Sequence, residues 1–250
     1  MTPQSQRTKQ NPVPQRIAKL LARAGIASRR EIERMIADGR IALNGEKITT
    51  PATLLEDVTG LTVDGRPVRP AKATRLFRFY KPQGTITAER DPKGRATIYD
   101  RLPKGLARLM PVGRLDFMTE GLLLMTNDGE LKRQLELPRT GVVRTYRARS
   151  FGPVTQAQLE KLAEGITIEG IHYGSIDANL ERRTGRNAWI EMSLTEGKNR
   201  EVRRVLAHLG LQVSRLIRTA YGPFTLAGLE AGAVDEIDPS ELDAFRRTLK

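Results

Sequence analysis

The sequence predicts an α+β protein in which a small module of helices and short strands precedes a larger domain built on a mixed or antiparallel sheet. Three observations lead there. Between residues 16 and 39 apolar side chains recur at helical spacing, and the short runs after them are broken by Asn44-Gly45 and Asp64-Gly65, dipeptides preferred in type I′ hairpins. Pro70-Ala71-Lys72-Ala73-Thr74 contains no large apolar residue and suits a hinge between folding units. From Leu76 onward, β-type runs such as LFRFY, TYRARSF, ITIEGI, AWIEMSL and VSRLIRTAYG outnumber helical patterns.

In chain order, residues 1–15 are polar, contain several Pro and Gln, and read as a disordered basic tail. Ile17, Leu20, Leu21 and Ala24 then mark one face of a helix that Gly25 ends. Ser28 with Glu31 forms a capping-box signature for a second helix, whose stripe Ile32, Met35 and Ile36 stops at Asp38-Gly39. Arg29, Arg30 and Arg34 lie off that stripe, where guanidinium forks can clamp phosphate oxygens or form an ordinary solvated face. Strands are expected over 40–43, 46–49, 61–63 and 66–68. The expected boundaries are therefore a tail over 1–15, a basic module over 16–70, a linker over 71–74 and the larger domain over 75–250.

The chain has 250 residues, a formal net charge of +13 and a pI near 10.4. Such a balance attracts polyanions, of which nucleic acid is the commonest, but it names no chemistry. Seven Lys and Arg and no Asp or Glu fall in the first thirty residues, so the excess is greatest where an arm could follow phosphates. With no Cys and only His172 and His208, disulfides and thiolate metal sites are excluded, and neither a metal nor another cofactor is expected. No stretch offers the roughly 18 to 20 apolar residues of a membrane helix, and the N-terminus lacks the apolar centre of a secretory signal. A cytoplasmic monomer is the expectation.

The most informative stretch of the larger domain is residues 111–131, PVGRLDFMTEGLLLMTNDGEL. Leu122 to Met125 look like a buried strand, and Gly113 and Gly121 permit tight backbone geometry on either side of Asp116. A carboxylate at the mouth of a core strand can serve as nucleophile or base if a cation pairs with it, or it can be a plain turn residue. Asn127-Asp128-Gly129 reads as a turn and helix cap. In residues 199–209 a helix would bury Val202, Val205, Leu206 and Leu209 and leave Arg203 at its edge. Asp238, Pro239 and Glu241 announce a last helix carrying Leu242, Phe245 and Leu249. No G-x-G-x-x-G opens a helix after a strand, which argues against a dinucleotide or methyl-donor site.

GRLDFMTEGLLLMTNDG closely resembles the signature motif of RsuA-type pseudouridine synthases. FYKPQG, DPKGRATIYDRLP, RTYRA, LTEGKNREVRRVLAHLG and VSRLIRTAYG resemble further family elements in the family's order. GIASRREIERMIADGRIALNG is similar to the RNA-binding domain named after a small-subunit ribosomal protein, over residues 16 to 62. The likeness spans nearly the whole chain after residue 15, and its pattern looks most like the RluB branch, which acts on large-subunit ribosomal RNA.

That resemblance implies an enzyme that isomerises one uridine of ribosomal RNA, with Asp116 as the essential carboxylate, Arg203 in a salt bridge with it, and Tyr146 stacking on the uracil. It also implies that Arg29, Arg30 and Arg34 contact RNA. Arg114, two residues before Asp116, is expected to occupy the gap left by a flipped nucleotide. Lys198, Arg200 and Arg204 are expected to bind the RNA backbone. Two other readings of the residues remain: a ribosomal RNA-binding assembly protein without activity, and another RNA-modifying enzyme such as a methyltransferase.

Overall fold

A computed structural model describes residues 13–103, 106 and 108–249. The chain divides into two compact units that part between Ala73 and Thr74. Thr74, the last residue of the expected linker, is tied to the second unit, where its hydroxyl bonds to the Asp128 carboxylate at 2.7 Å.

The first unit runs β1 (Gln15–Arg16), α1 (Ile17–Arg23), α2 (Arg29–Ala37), β2 (Ile41–Leu43), β3 (Glu46–Lys47), β4 (Leu54–Leu55), β5 (Leu61–Val63) and β6 (Arg66–Pro67). Most of the expected tail, residues 1–12, lies outside the described residues. Its last residue is not a tail: Gln15 pairs with Leu55 in an antiparallel bridge. The Ser28 hydroxyl caps α2 by accepting from the Glu31 amide at 3.2 Å. Asn44, Gly45, Asp64 and Gly65 all have positive φ, as two type I′ turns require, and they set the register of the β3-β2-β5-β6 sheet. Ile17, Leu21, Ile32 and Ile41 are fully buried in one core. Leu20 is only half-buried, and Ala18 takes the place in the core that the periodicity assigned to it.

The second unit contains β7 (Leu76–Lys81), β8 (Met110–Pro111), β9 (Glu120–Thr126), α3 (Gly129–Glu136), β10 (Arg144–Phe151), α4 (Gln156–Glu160), β11 (Ile166–Ile168), β12 (Ile171–Tyr173), β13 (Ile176–Thr184), β14 (Asn187–Leu194), α5 (Glu201–His208), β15 (Gln212–Tyr221), β16 (Phe224–Thr225), β17 (Val234–Glu236) and α6 (Pro239–Thr248). One sheet runs β13-β14-β10-β15-β9-β7-β17, with β16 added to β15 and β8 to β9. β15 and β9 are parallel, and the other pairings of that sheet are antiparallel. The expected mixed sheet is therefore present.

Every residue of β9 is buried. Leu122 and Leu124 pack with Leu131 of α3 and Leu242 and Phe245 of α6, while Leu123 and Met125 face a second core with Phe77 and Phe79. A strand covered on both faces reads as an unbroken apolar run, which is why this segment does not alternate. Asp128 caps α3 by accepting from the Glu130 amide at 2.8 Å, and Asp238 does the same for α6 through the Ser240 amide.

At the parallel junction Ile217 lies opposite Glu120 and Arg218 opposite Gly121. Gly121 has φ +105°, and a Cβ there would stand 2.3 Å from the Arg218 carbonyl oxygen and 2.8 Å from its nitrogen. Gly121→Ala is therefore expected to destabilise the protein by roughly 3 kcal/mol or more through overpacking and backbone strain. Urea denaturation should show a lower midpoint, and an unchanged midpoint would mean that the two strands can part without cost.

Candidate active site

Asp116 opens a four-residue loop that leads into β9, and every carbonyl of that loop is held. The Asp116 carbonyl accepts from the Thr119 amide at 3.0 Å and from Lys81 Nζ at 3.1 Å. The Gly84 amide donates to the Phe117 carbonyl at 2.9 Å, Arg203 Nη2 to that of Met118 at 2.9 Å, and Lys81 Nζ to that of Thr119 at 2.8 Å. Just upstream, Thr87 Oγ1 both donates to the Leu115 carbonyl and accepts from its amide. Glu136 Oε1 accepts from the Gly113 amide at 2.6 Å.

Lys81 is the centre of this arrangement. Its side chain is fully buried, and burial pushes its ammonium down to about 8 against the opposing pull of Asp116 and Glu120. Lys81 lies in FYKPQG, and nothing in that run marks its role. Its contacts are with backbone oxygens up to 38 residues away, and no local pattern shows them.

The Asp116 carboxylate is about 36% exposed, and its Oδ2 lies 3.4 Å from Arg200 Nη1. Arg200, expected as a backbone-binding residue, is thus the ion-pair partner of Asp116. The expected Arg203–Asp116 salt bridge is absent among the described residues. Arg203 stands behind the loop, with Nη2 on the Met118 carbonyl and Nη1 on the Val213 carbonyl at 3.3 Å. Burial and the neighbouring Arg200 charge hold Arg203 below the ordinary guanidinium range, while Asp116 acts in the opposite sense.

The swap follows from where α5 begins. The helix starts at Glu201, two residues later than the pattern suggested, and Arg200 adopts a left-handed conformation (φ 53°) at its N-cap. For a residue with a side chain this costs about 1 kcal/mol, and it turns Arg200 toward the loop. Val202, Val205 and Leu206 form the buried face as expected.

Asp116, Arg114, Tyr146, Lys198, Arg200 and Arg218 line one cleft of about 800 Å³. Arg114 is exposed at its rim. Lys198 is ion-paired with Glu196. Tyr146, half-buried on β10, is the cross-strand partner of Arg218 on β15, and the Arg218 guanidinium lies 6.0 Å from the Tyr146 ring centre. Arg204 is exposed on α5 and does not line the cleft. Arg29, Arg30 and Arg34 are exposed on α2 of the first unit, where Arg34 pairs with Glu31.

The cleft joins a partly shielded carboxylate, an aromatic ring and several cations. It is large enough for one extruded nucleotide, whose base could lie on the ring while its phosphates meet the cations. Among the described residues no group of three or more His, Asp or Glu could hold a metal ion.

A sequence profile of the RNA pseudouridylate synthase family matches residues 75–208, and one of the S4 domain matches residues 15–57. An uncharacterised RNA pseudouridine synthase of Rickettsia bellii is 42% identical over 89% of this chain and 96% of its own. The ribosomal large subunit pseudouridine synthase B of Salmonella typhimurium is 41% identical over 93% of this chain and 82% of its own. A crystal structure of a pseudouridylate synthase superposes with a TM-score of 0.64 at 27% identity, covering 91% of this chain and 98% of that one.

Proposed function

Since the chain belongs to the RNA pseudouridylate synthase family, and so is an isomerase acting on RNA, we propose that its substrate is a uridine of large-subunit ribosomal RNA. The observation that carries this reading is the 41% identity, over most of both chains, to a relative named for that substrate. Membership sets aside the methyltransferase and the pure binding protein. Mapping pseudouridines in ribosomal RNA from cells with and without the protein tests the proposal. A single large-subunit position should revert to uridine, and a change confined to small-subunit or transfer RNA would overturn it.

Pseudouridine formation breaks the bond from uracil N1 to the ribose C1′, turns the base, and bonds C5 to C1′. The C5 proton leaves and N1 gains one, so atoms and oxidation state balance without a cofactor. In this scheme Asp116 is the charged group that acts on the nucleotide, supported by its place in the cleft beside Arg200. Arg203 is a positioning residue that holds the loop. Tyr146 stacks on the uracil, and its hydroxyl helps pass the C5 proton on toward solvent. Arg114, at the rim, fills the space that the flipped nucleotide vacates. Lys198 and Arg200 reach phosphates within the cleft, and Arg204 does so outside it. We assign the reaction to a cytoplasmic monomer taking part in ribosome biogenesis. No helix among the described residues is long and apolar enough to cross a membrane.

Arg29, Arg30 and Arg34 are the RNA-facing side of the first unit in this reading, Arg34 after exchanging Glu31 for phosphate. Removing residues 1–73 should therefore weaken RNA affinity and leave an activity that survives only at low salt. Tritium release from ribosomal RNA labelled at uridine C5, measured across a salt series, checks this. Complete inactivity at saturating RNA and low salt would contradict the division of labour.

A further inference from the structure

Among the described residues Arg218 is a buried cation without a counter-ion. Only 3% of it is exposed, and its side chain makes a single hydrogen bond among the described residues, from Nε to the Leu122 carbonyl at 2.7 Å. Nη2 is buried with no hydrogen-bond partner among them. The guanidinium faces are served by the rings of Tyr146 at 6.0 Å and Tyr221 at 5.2 Å, but rings do not satisfy N–H edges. Arg144, which also lines the cleft, shows what a buried arginine with its donors satisfied looks like in this fold. Its guanidinium donates to the carbonyls of Val142, Leu135 and Thr195 and to the Tyr221 hydroxyl.

An unpaired buried charge with an unused donor is costly, and natural structures keep such groups where a ligand supplies the missing partner. Arg218 lines the same cleft as Asp116. The strand register fixes it between Tyr146 on one side and Gly121, the second residue of β9, on the other. A base stacked on Tyr146 therefore brings its edge within reach of the Arg218 N–H groups.

We propose that Arg218 is a base-binding residue that donates to a carbonyl oxygen of the target uracil and stabilises the negative charge that spreads over N1, O2 and O4 once the glycosidic bond breaks. This rests on the reading of the cleft as the uracil site. A donor already fixed and itself shielded from water favours the detached anionic base more than the neutral bound one, so its contribution falls on the chemical step. A contact at O4 would also favour uracil over cytosine, which presents an amino donor there, whereas a contact at O2 would not discriminate between them.

Arg218→Met keeps bulk and removes the donors, and Arg218→Lys keeps a charge. The test is single-turnover kinetics on a ribosomal RNA fragment carrying the mapped uridine, or 2-thiouridine or 4-thiouridine in its place, with RNA affinity and melting temperature measured alongside. The expected result is a rate constant reduced by about 100-fold in Arg218→Met, with RNA affinity within threefold of wild type and an intermediate rate for Arg218→Lys. One thio substitution should slow the wild type by about tenfold and leave Arg218→Met unaffected, the signature of a shared contact. A wild-type rate for Arg218→Met overturns the proposal. So does a thio effect of the same size in wild type and variants, or none at either oxygen. If Arg218→Met does not fold, the comparison of Arg218→Lys with wild type on the thio substrates decides alone. A wild-type protein that forms no pseudouridine in any ribosomal RNA would instead refute the functional reading.

Discussion

Asp116→Asn is expected to lower the rate of pseudouridine formation by more than about 10³-fold, a loss of roughly 4 kcal/mol of transition-state stabilisation. The amide is nearly the same size and leaves the loop intact, because Lys81, Gly84 and Arg203 hold its backbone and not its carboxylate. What is removed is a negative charge that Arg200 faces at 3.4 Å. RNA affinity should therefore be unchanged or slightly tighter, since one anion fewer meets the incoming phosphates. Tritium release under single-turnover conditions, with filter binding in parallel, separates the two quantities. Turnover at a wild-type rate would remove Asp116 from the chemistry. Loss of binding together with loss of turnover would point to a structural role.

The second large effect belongs to Lys81→Met, which touches neither RNA nor the reacting atoms. One ammonium holds the carbonyls of Pro82, Asp116 and Thr119, so its loss takes a donor from both ends of the Asp116 loop and leaves the Asp116 carbonyl only the Thr119 amide. A displacement of about 1 Å in a reacting group costs on the order of 100-fold in rate. That loss should appear in kcat with RNA affinity little changed. The stability change should be smaller, because three buried carbonyls lose a donor while a desolvated charge is also removed. Full activity in Lys81→Met would show that the remaining loop contacts suffice.

The same residue sets a pH dependence. Burial lowers the Lys81 ammonium to about 8 from 10.5, and a neutral amine has two N–H donors for three carbonyls. The wild-type rate constant should therefore fall as pH rises through about 8. For stability the sign is the opposite. Between about 8 and 10.5 the unfolded chain binds more protons at this site than the folded one, so this group's contribution to folding grows as pH rises through that window. Rate and denaturation measured over the same pH range should diverge, and a rate that stays flat to pH 9.5 would argue against Lys81 as the loop's clamp.

Local signals located most of the elements. Ser28, Asp128 and Asp238 each cap the helix their position announced, and Asn44-Gly45 and Asp64-Gly65 turn as such dipeptides do. These succeed because a cap or a two-residue turn is decided by neighbours in the chain. The resemblance pointed to the residues of the cleft, but not to which arginine faces the carboxylate. Helical periodicity could place Arg203 at the edge of α5, yet the choice between Arg203 and Arg200 turned on a left-handed residue at the helix start. Nothing in the run GKNREV announces that conformation.

The sequence by itself determined the two-part α+β plan, the basic character, the buried strand at Leu122 to Met125 and the segment that carries Asp116. All of these rest on periodicity, composition or contacts within a few residues. Only the tertiary structure decided that β9 and β15 lie side by side in parallel, that Lys81 and Arg203 hold the Asp116 loop, and that Arg218 reaches the cleft from between two strands. Those contacts join residues roughly 40 to 100 positions apart. Their geometry depends on register and on a glycine that lets two backbones meet, which no single stretch of chain encodes.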